Sequence, residues 1–248
     1  MANNLIFEGW ISILAALTAN SRTIEKLYLQ RDKQSASFSL LEQQAERRGV
    51  PVLRVDEAVI SSYAAGKSHG GAVALVGPRQ YQPLASLGQD VAAPFIVMLD
   101  GIEDPFNLGQ AVRALYAAGA HGLVVRSRRW AGAAAIIARA SAGASELMPT
   151  AEVETAGQAV EHFKARGLLV ACTASQGQTQ PIYQADLTRP LFVLIGGERR
   201  GITRSLLRQA DLILQVPYRR EFKPALGASS SAAVVAFEVF RQRRYRQP

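Results

Sequence analysis

Phe95-Ile96-Val97-Met98-Leu99 runs directly into Asp100-Gly101-Ile102-Glu103-Asp104-Pro105-Phe106-Asn107-Leu108-Gly109, and a helix-period stretch carrying Arg113 follows. A short apolar run that ends in acids, Gly and Pro reads as a buried strand feeding a turn and then a helix. The same order returns downstream. Strand-like runs stand at 122–125, 168–172 and 192–195, with helical stretches at 108–118, 133–141 and 230–244. Short apolar runs separated by helices are the signature of a parallel sheet buried on both faces, so this part is predicted to be α/β. Ligands of such sheets sit at the carboxyl ends of strands, which directs attention to the loops after Leu99, Val125, Ile195 and Val216.

Upstream of that stretch, residues 77–94 hold three prolines, two glycines and little periodicity, as a linker or edge segment would. The boundary is therefore expected near residue 90, giving a first domain over 1–90 and a second over 91–248. The first domain reads as small and mixed. A helical pattern spans 5–17, an apolar run stands at 27–29, a helix is expected around 40–48, and Gly49-Val50-Pro51-Val52 opens a short strand. A Gly, Ser and Lys-rich stretch at 61–71 precedes a strand at 72–76.

Composition narrows the classes. With 248 residues, 48% hydrophobic and 19% charged, the chain can bury real cores and is not a disordered tail. No apolar run approaches the ~18 residues of a membrane helix, because Arg139 interrupts even the alanine-rich stretch at 131–144. The apolar segment at 10–17 is preceded by Glu8 and no basic residue, which fits an amphipathic first helix rather than a signal peptide, so a cytoplasmic protein is expected. A single cysteine, Cys172, excludes an internal disulfide, and His69, His121 and His162 lie too far apart for a zinc motif, so no metal is expected. Charge is uneven. Residues 199–248 hold eleven Lys and Arg against three acids, whereas residues 1–198 hold seventeen of each. Such a basic stretch attracts polyanions in a salt-sensitive way; a solvated arginine-rich surface is the other reading.

Three loops bear residues suited to chemistry. In the first, Asn107 is placed to cap the helix, with Arg113 nearly two turns along on the same face; this is either a well-made helix start or a phosphate grip. The second, Gly196-Gly197-Glu198-Arg199-Arg200-Gly201, follows the strand ending at Ile195. Its three glycines allow close approach to a ligand, although a turn with Glu198 near a helix N-terminus accounts for it equally. The third runs from Val216-Pro217-Tyr218 to Ala225-Leu226-Gly227-Ala228-Ser229-Ser230-Ser231, where Gly227 and the serines can cap the last helix. Neither the dinucleotide fingerprint nor the lysine-bearing phosphate loop occurs. The G-x-S-x-G elbow is missing too, and Glu161-His162, the one His beside an acid, reads as an exposed helix face, which argues against hydrolase chemistry.

Taken together, these loops resemble the SpoU, or TrmH-like, RNA 2'-O-ribose methyltransferases of the SPOUT superfamily, and the likeness covers nearly the whole chain. The family's first motif, D-x-x-x-D-P-x-N-x-G-x-x-x-R, is similar to residues 100–113, with Asn107 and Arg113 in place. Its second, G-x-E-x-x-G after a strand, is matched by Gly196, Glu198 and Gly201, with Asp211 and Pro217 following. Ser141-Ala142-Gly143-Ala144 resembles a turn common in the family. Gly9, Leu14, Leu17, residues 49–52 and residues 70–74 are similar to its ribosomal-protein-like RNA-binding domain. The third motif departs: Ala225-Leu226-Gly227-Ala228-Ser229 stands where the family usually has Ser-Leu-Asn-Val-Ser, in a loop one residue longer.

The resemblance implies a SPOUT-type parallel sheet with a C-terminal trefoil knot, S-adenosylmethionine as methyl donor and an RNA substrate, ribosomal RNA before transfer RNA. It implies a homodimer through the knotted domain and no membrane partner. Ile195, Gly196, Gly197, Val216, Leu226 and Ser229 are the implied cofactor-binding residues. Arg113, Asn107 and Glu198 are the implied catalytic ones: Arg113 to hold the ribose and its phosphate, Asn107 to orient Arg113 or the ribose, Glu198 to organise the knot loop and its RNA contacts. Guanidinium does not deprotonate in proteins, so positioning is a sounder role for Arg113 than that of a base. Where the third motif departs, either Arg220, Ser229 or Ser230 substitutes, or activity is reduced or lost. The alternative is a non-catalytic SPOUT-fold RNA-binding or assembly protein, and base rather than ribose methylation is a further one.

Overall fold

The computed structural model describes residues 5–66, 69–127, 130–175 and 177–245. Lys67 and Ser68 of the 61–71 stretch lie outside them. The chain divides into two compact units, one formed by residues 1–80 with 129–147, the other by 81–128 with 148–248.

The first unit opens with β1 (Leu5–Glu8), α1 (Trp10–Ala19), β2 (Arg22–Gln30), α2 (Ala36–Arg47), β3 (Val52–Val55), α3 (Glu57–Tyr63) and β4 (Ala72–Arg79). Its sheet runs β1-β4-β2-β3, antiparallel except for β2 beside β3. Residues 5–8 are thus a strand, not the first turn of a helix. They pair with β4, and Gly9, at φ 81°, turns the chain into α1. The reversal costs Gly little, and the side-chain pattern before it fits a paired edge as well as a helix.

In the second unit β5 (Phe95–Asp100), α4 (Pro105–Ala117) and β6 (Gly122–Arg126) come first. The chain then returns to the first unit for α5 (Ala134–Ala140) and α6 (Ala144–Leu147). The spacing in sequence places both helices after residue 90; the packing places them with the first unit, because Ala134 and Ala138 sit in its core beside Phe7, Ile13 and Leu17. The Ser141–Ala144 turn brings Gly143 onto α1, where a Cβ would stand 2.7 Å from that of Ala15. Alongside, Glu146 is 2% exposed and accepts from Arg22 Nε at 2.9 Å and Ser21 Oγ at 2.6 Å, with Arg79 at 3.4 Å. Burial alone pushes this carboxyl upward, but the two guanidiniums and the hydroxyl outweigh it and hold the group below its ordinary value.

The second unit continues with β7 (Thr150–Val153), α7 (Ala156–Ala165), β8 (Leu169–Thr173), β9 (Gln180–Pro181), β10 (Leu191–Gly196), α8 (Arg204–Gln209), β11 (Leu212–Gln215) and α9 (Ala228–Tyr245). All seven strands are parallel, in the order β7-β6-β5-β10-β8-β11-β9. Phe192, Leu194, Val170, Cys172 and Met98 are fully buried among Phe163 and Val160 of α7, as expected of a sheet covered on both faces. Register is what positions the site. Asp100 lies opposite Gly196, and Thr173 opposite Leu214, so β5, β10, β8 and β11 release their following loops at one edge. Among the described residues no helix is long and apolar enough to cross a membrane, and no His, Cys, Asp and Glu cluster suits a metal ion.

Candidate active site

The loop after β5 builds its own helix start. The Asp104 side chain accepts the Asn107 N–H at 2.8 Å and Pro105 occupies the first turn. Asp104 is therefore the cap, and Asn107, expected in that role, stands three residues inside. The reason is local: Pro105 fixes the first helical φ, which leaves the preceding residue extended and its short side chain aimed back at the third N–H. Arg113, exposed, follows on the same helix.

The loop after β10 crosses close to the first. The Gly197 N–H donates to the Asp100 carbonyl at 2.7 Å, and a Cβ on Gly197 would collide with the Gly101 carbonyl. Gly196 is equally crowded, with Gly201 backbone 2.6 Å from where its Cβ would be. These glycines are demanded by backbone meeting backbone.

Glu198 settles the start of α9. Its Oε1 accepts the Ala228 N–H at 3.3 Å, and a Cβ on Gly227 would stand 3.0 Å from the same oxygen. The sequence points to Gly227 and the serines as caps; instead a carboxylate from thirty residues earlier supplies the acceptor at the positive end of the helix. Ser231 donates its N–H to the Gly227 carbonyl and its hydroxyl to that of Leu226, at 3.4 Å.

Two hollows result. The larger, about 600 Å³, is lined by Gly196, Gly197, Val216, Tyr218, Leu226 and Ser231 among others. Four of the six residues expected to bind a cofactor are thus brought together. Ile195 is fully buried and faces the core, and Ser229 is not part of the lining, where Ser231 takes its place. A helix repeats every 3.6 residues, so moving two positions along α9 changes the face presented, and only the start of that helix would have revealed which serine faces in. The smaller hollow, about 270 Å³, unites Asn107 and Glu198 with Gly101, Asp104 and Arg199, and Arg199 pairs with Glu103 at 3.2 Å. Arg113 lines neither hollow. Asp211 lies at the opposite edge of the sheet, where it accepts the Val170 N–H and pairs with Lys164 at 2.9 Å.

Volume and lining fit S-adenosylmethionine. A drug-sized ligand takes about 300–1,000 Å³, and glycine backbone beside Val216 and Leu226 offers polar edges and an apolar wall.

The SpoU rRNA methylase family model matches residues 94–237, and the RNA 2'-O ribose methyltransferase substrate-binding model matches residues 6–82. This chain belongs to the SpoU rRNA methylase family. By family it is an RNA 2'-O-ribose methyltransferase. Among its relatives, the tRNA/rRNA methyltransferase slr0955 of Synechocystis is 31% identical over 97% of this chain, which spans 63% of that longer protein. YacO of Bacillus subtilis, of the TrmH tRNA/rRNA methyltransferase family, is 30% identical over 90% of either chain. The 23S rRNA (guanosine-2'-O-)-methyltransferase RlmB of Shewanella oneidensis is 28% identical over 97% of this chain and 98% of its own length. An AdoMet-bound rRNA methyltransferase from Sinorhizobium meliloti shares the fold at TM-score 0.79 and 23% identity, covering 98% of this chain and 88% of that one.

Proposed function

We propose that this SpoU-family enzyme methylates a ribose 2'-hydroxyl of ribosomal RNA. The observation that carries the reading is a hollow of about 600 Å³ lined by the loops after β8, β10 and β11, beside a second that holds Asn107 and Glu198. When bound, S-adenosylmethionine supplies the electrophilic methyl group, so the chain's own task is alignment. Gly196, Gly197, Val216 and Leu226 hold the donor, largely through backbone. Asn107 orients the ribose, and Glu198 fixes the start of α9 that carries Ser231. Arg113 grips the ribose and its phosphate through its guanidinium.

The first domain, over about residues 1–90, recruits the RNA, and the second carries the methyl transfer. Ribosomal RNA is favoured because a separate recognition module suits a structured target and because RlmB relatives act on 23S rRNA. The place of action is then the bacterial cytoplasm. A trefoil knot in the second domain is supported by the tight crossing of Gly197 with Gly101 and by the reach of Glu198 to Ala228. A homodimer is supported by an exposed aromatic face on two helices that pack together, with Phe106 and Tyr116 on α4 and Phe237, Phe240 and Tyr245 on α9. Arg113 shares the outer face of α4 with Phe106, seven residues before it. In the proposed homodimer, Arg113 would serve a site shared between protomers, consistent with its standing outside both hollows.

The test is nucleoside mass spectrometry of ribosomal RNA incubated with the protein and S-adenosylmethionine. The expected product is a 2'-O-methylnucleoside. Arg113→Ala is expected to cut turnover at least ~100-fold, the scale of losing one positioning or charge-stabilising group, with unchanged thermal unfolding. Full turnover by that variant, or a base-methylated product, overturns the assignment. Donor binding without any transfer favours instead a binding protein that has lost activity through Ala225-Leu226-Gly227.

A further inference from the structure

The loop between β11 and α9 contains Tyr218-Arg219-Arg220-Glu221-Phe222-Lys223, and all six side chains are exposed. Phe222 leaves 59% of its surface open, which is far from the behaviour of a ring placed for packing. Its centroid stands 6.2 Å from that of Tyr218, with the planes tilted by 52°. Tyr218 is held in place: its hydroxyl accepts the Leu226 N–H at 2.8 Å and so closes the loop across eight residues. Both rings, with Lys223 and Arg200, line the larger hollow.

Charge decides what these rings face. The methyl donor carries a sulfonium and a net positive charge, so three cations against one acid in the loop oppose it electrostatically while attracting a polyanion. Exposed aromatic faces interleaved with Lys and Arg are the pattern by which proteins hold unpaired nucleotides, with bases stacked on rings and phosphates neutralised beside them. A nucleotide turned out of a helix presents its ribose to a recessed site most readily, and an unstacked base then needs a new surface.

We propose that Phe222, braced by Tyr218, stacks on an unpaired base of the RNA at the mouth of the hollow, while Lys223 neutralises an adjoining phosphate. This clamp rests on the reading of that hollow as the methyl-donor site. It makes the 218–223 loop a contributor to nucleotide choice, since a ring favours the bases that stack best.

Filter binding of protein-free bacterial ribosomal RNA to the full chain, over a range of salt, tests it beside calorimetry with S-adenosylmethionine. Phe222→Ala is expected to weaken RNA binding roughly tenfold, within the range for one stacked base, with the same salt slope and the same donor affinity. Phe222→Trp is expected to restore it. Lys223→Ala is expected to lower the salt slope by about one. Lost donor affinity in Phe222→Ala with RNA binding intact would put the ring on the donor's adenine and overturn the clamp. So would a variant that leaves both affinities unchanged. Failure of the enzymatic reading is distinguishable, because it shows in the wild-type chain as RNA binding without donor binding or transfer.

Discussion

Glu146 and Glu198 each tie together stretches of chain that are distant in sequence, yet they do so in opposite surroundings. Glu146, in the first unit, is closed off from water between Arg22 and Arg79. Glu198, in the second, is solvent-facing and meets a single backbone N–H at the start of α9. A buried charge is tolerated only when it is fully partnered, so Glu146 specifies which segments pack. An exposed carboxylate with one weak partner contributes little to stability, and what it fixes is the position of a helix end beside the larger hollow. The difference separates a residue that holds the fold from one that shapes the site.

The contrast can be broken from either side. Glu146→Ala has the larger expected effect, a loss of about 3–5 kcal/mol from the first unit, because it leaves buried guanidinium charge uncompensated. Urea unfolding followed in that unit checks it, while affinity for S-adenosylmethionine is expected to stay unchanged. The next effect depends on pH. Glu146 titrates below its ordinary 4.5 in the folded chain, so the stability it confers is complete above that value and is lost as pH falls through the lower, folded one. Thermal unfolding of the wild type should therefore decline below about pH 4.5 more steeply than that of Glu146→Gln, whose side chain does not titrate. Glu198→Ala is the smallest in stability, about 1 kcal/mol, as for a lost helix cap. Its donor affinity should fall all the same, and Glu198→Gln, which keeps an acceptor oxygen, should recover most of it in the same calorimetric titration.

Much of the second unit could be read from its residues, because the apolar runs of a doubly covered sheet stand out against the helices between them. The start of α4 was nearly legible too: Asp104-Pro105 is a helix beginning written in adjacent residues, even though the cap falls to Asp104 rather than Asn107. The start of α9 was not. Its acceptor is Glu198, and no local pattern records a partner thirty positions away, so neither the cap nor the lining serine, Ser231 in place of Ser229, can be read from neighbouring residues. Only 27–29 of β2 reads as an apolar run, because its first half is mostly polar, with Thr23 and Glu25 exposed. The placement of 129–147 escaped for a different reason. Its alanines are small enough to pack on any face, and its one strong signal, Glu146, reads as a surface acid until Arg22 and Arg79 are seen around it. The altered third motif was legible as a departure, whereas the aromatic and basic residues just before it revealed their common hollow only in three dimensions.

The crossing of Gly197 with Gly101 has a consequence for how such a chain can vary. Two main chains pressed together with no side chain between them leave no slack, so neither loop can gain a residue without displacing the strand that feeds it. The 217–227 segment is closed instead by the Tyr218 hydroxyl and the Glu198 carboxylate, which sit on side chains with reach to spare. Changes of length in this part of the molecule are therefore expected to be absorbed where side chains, and not backbones, do the fastening.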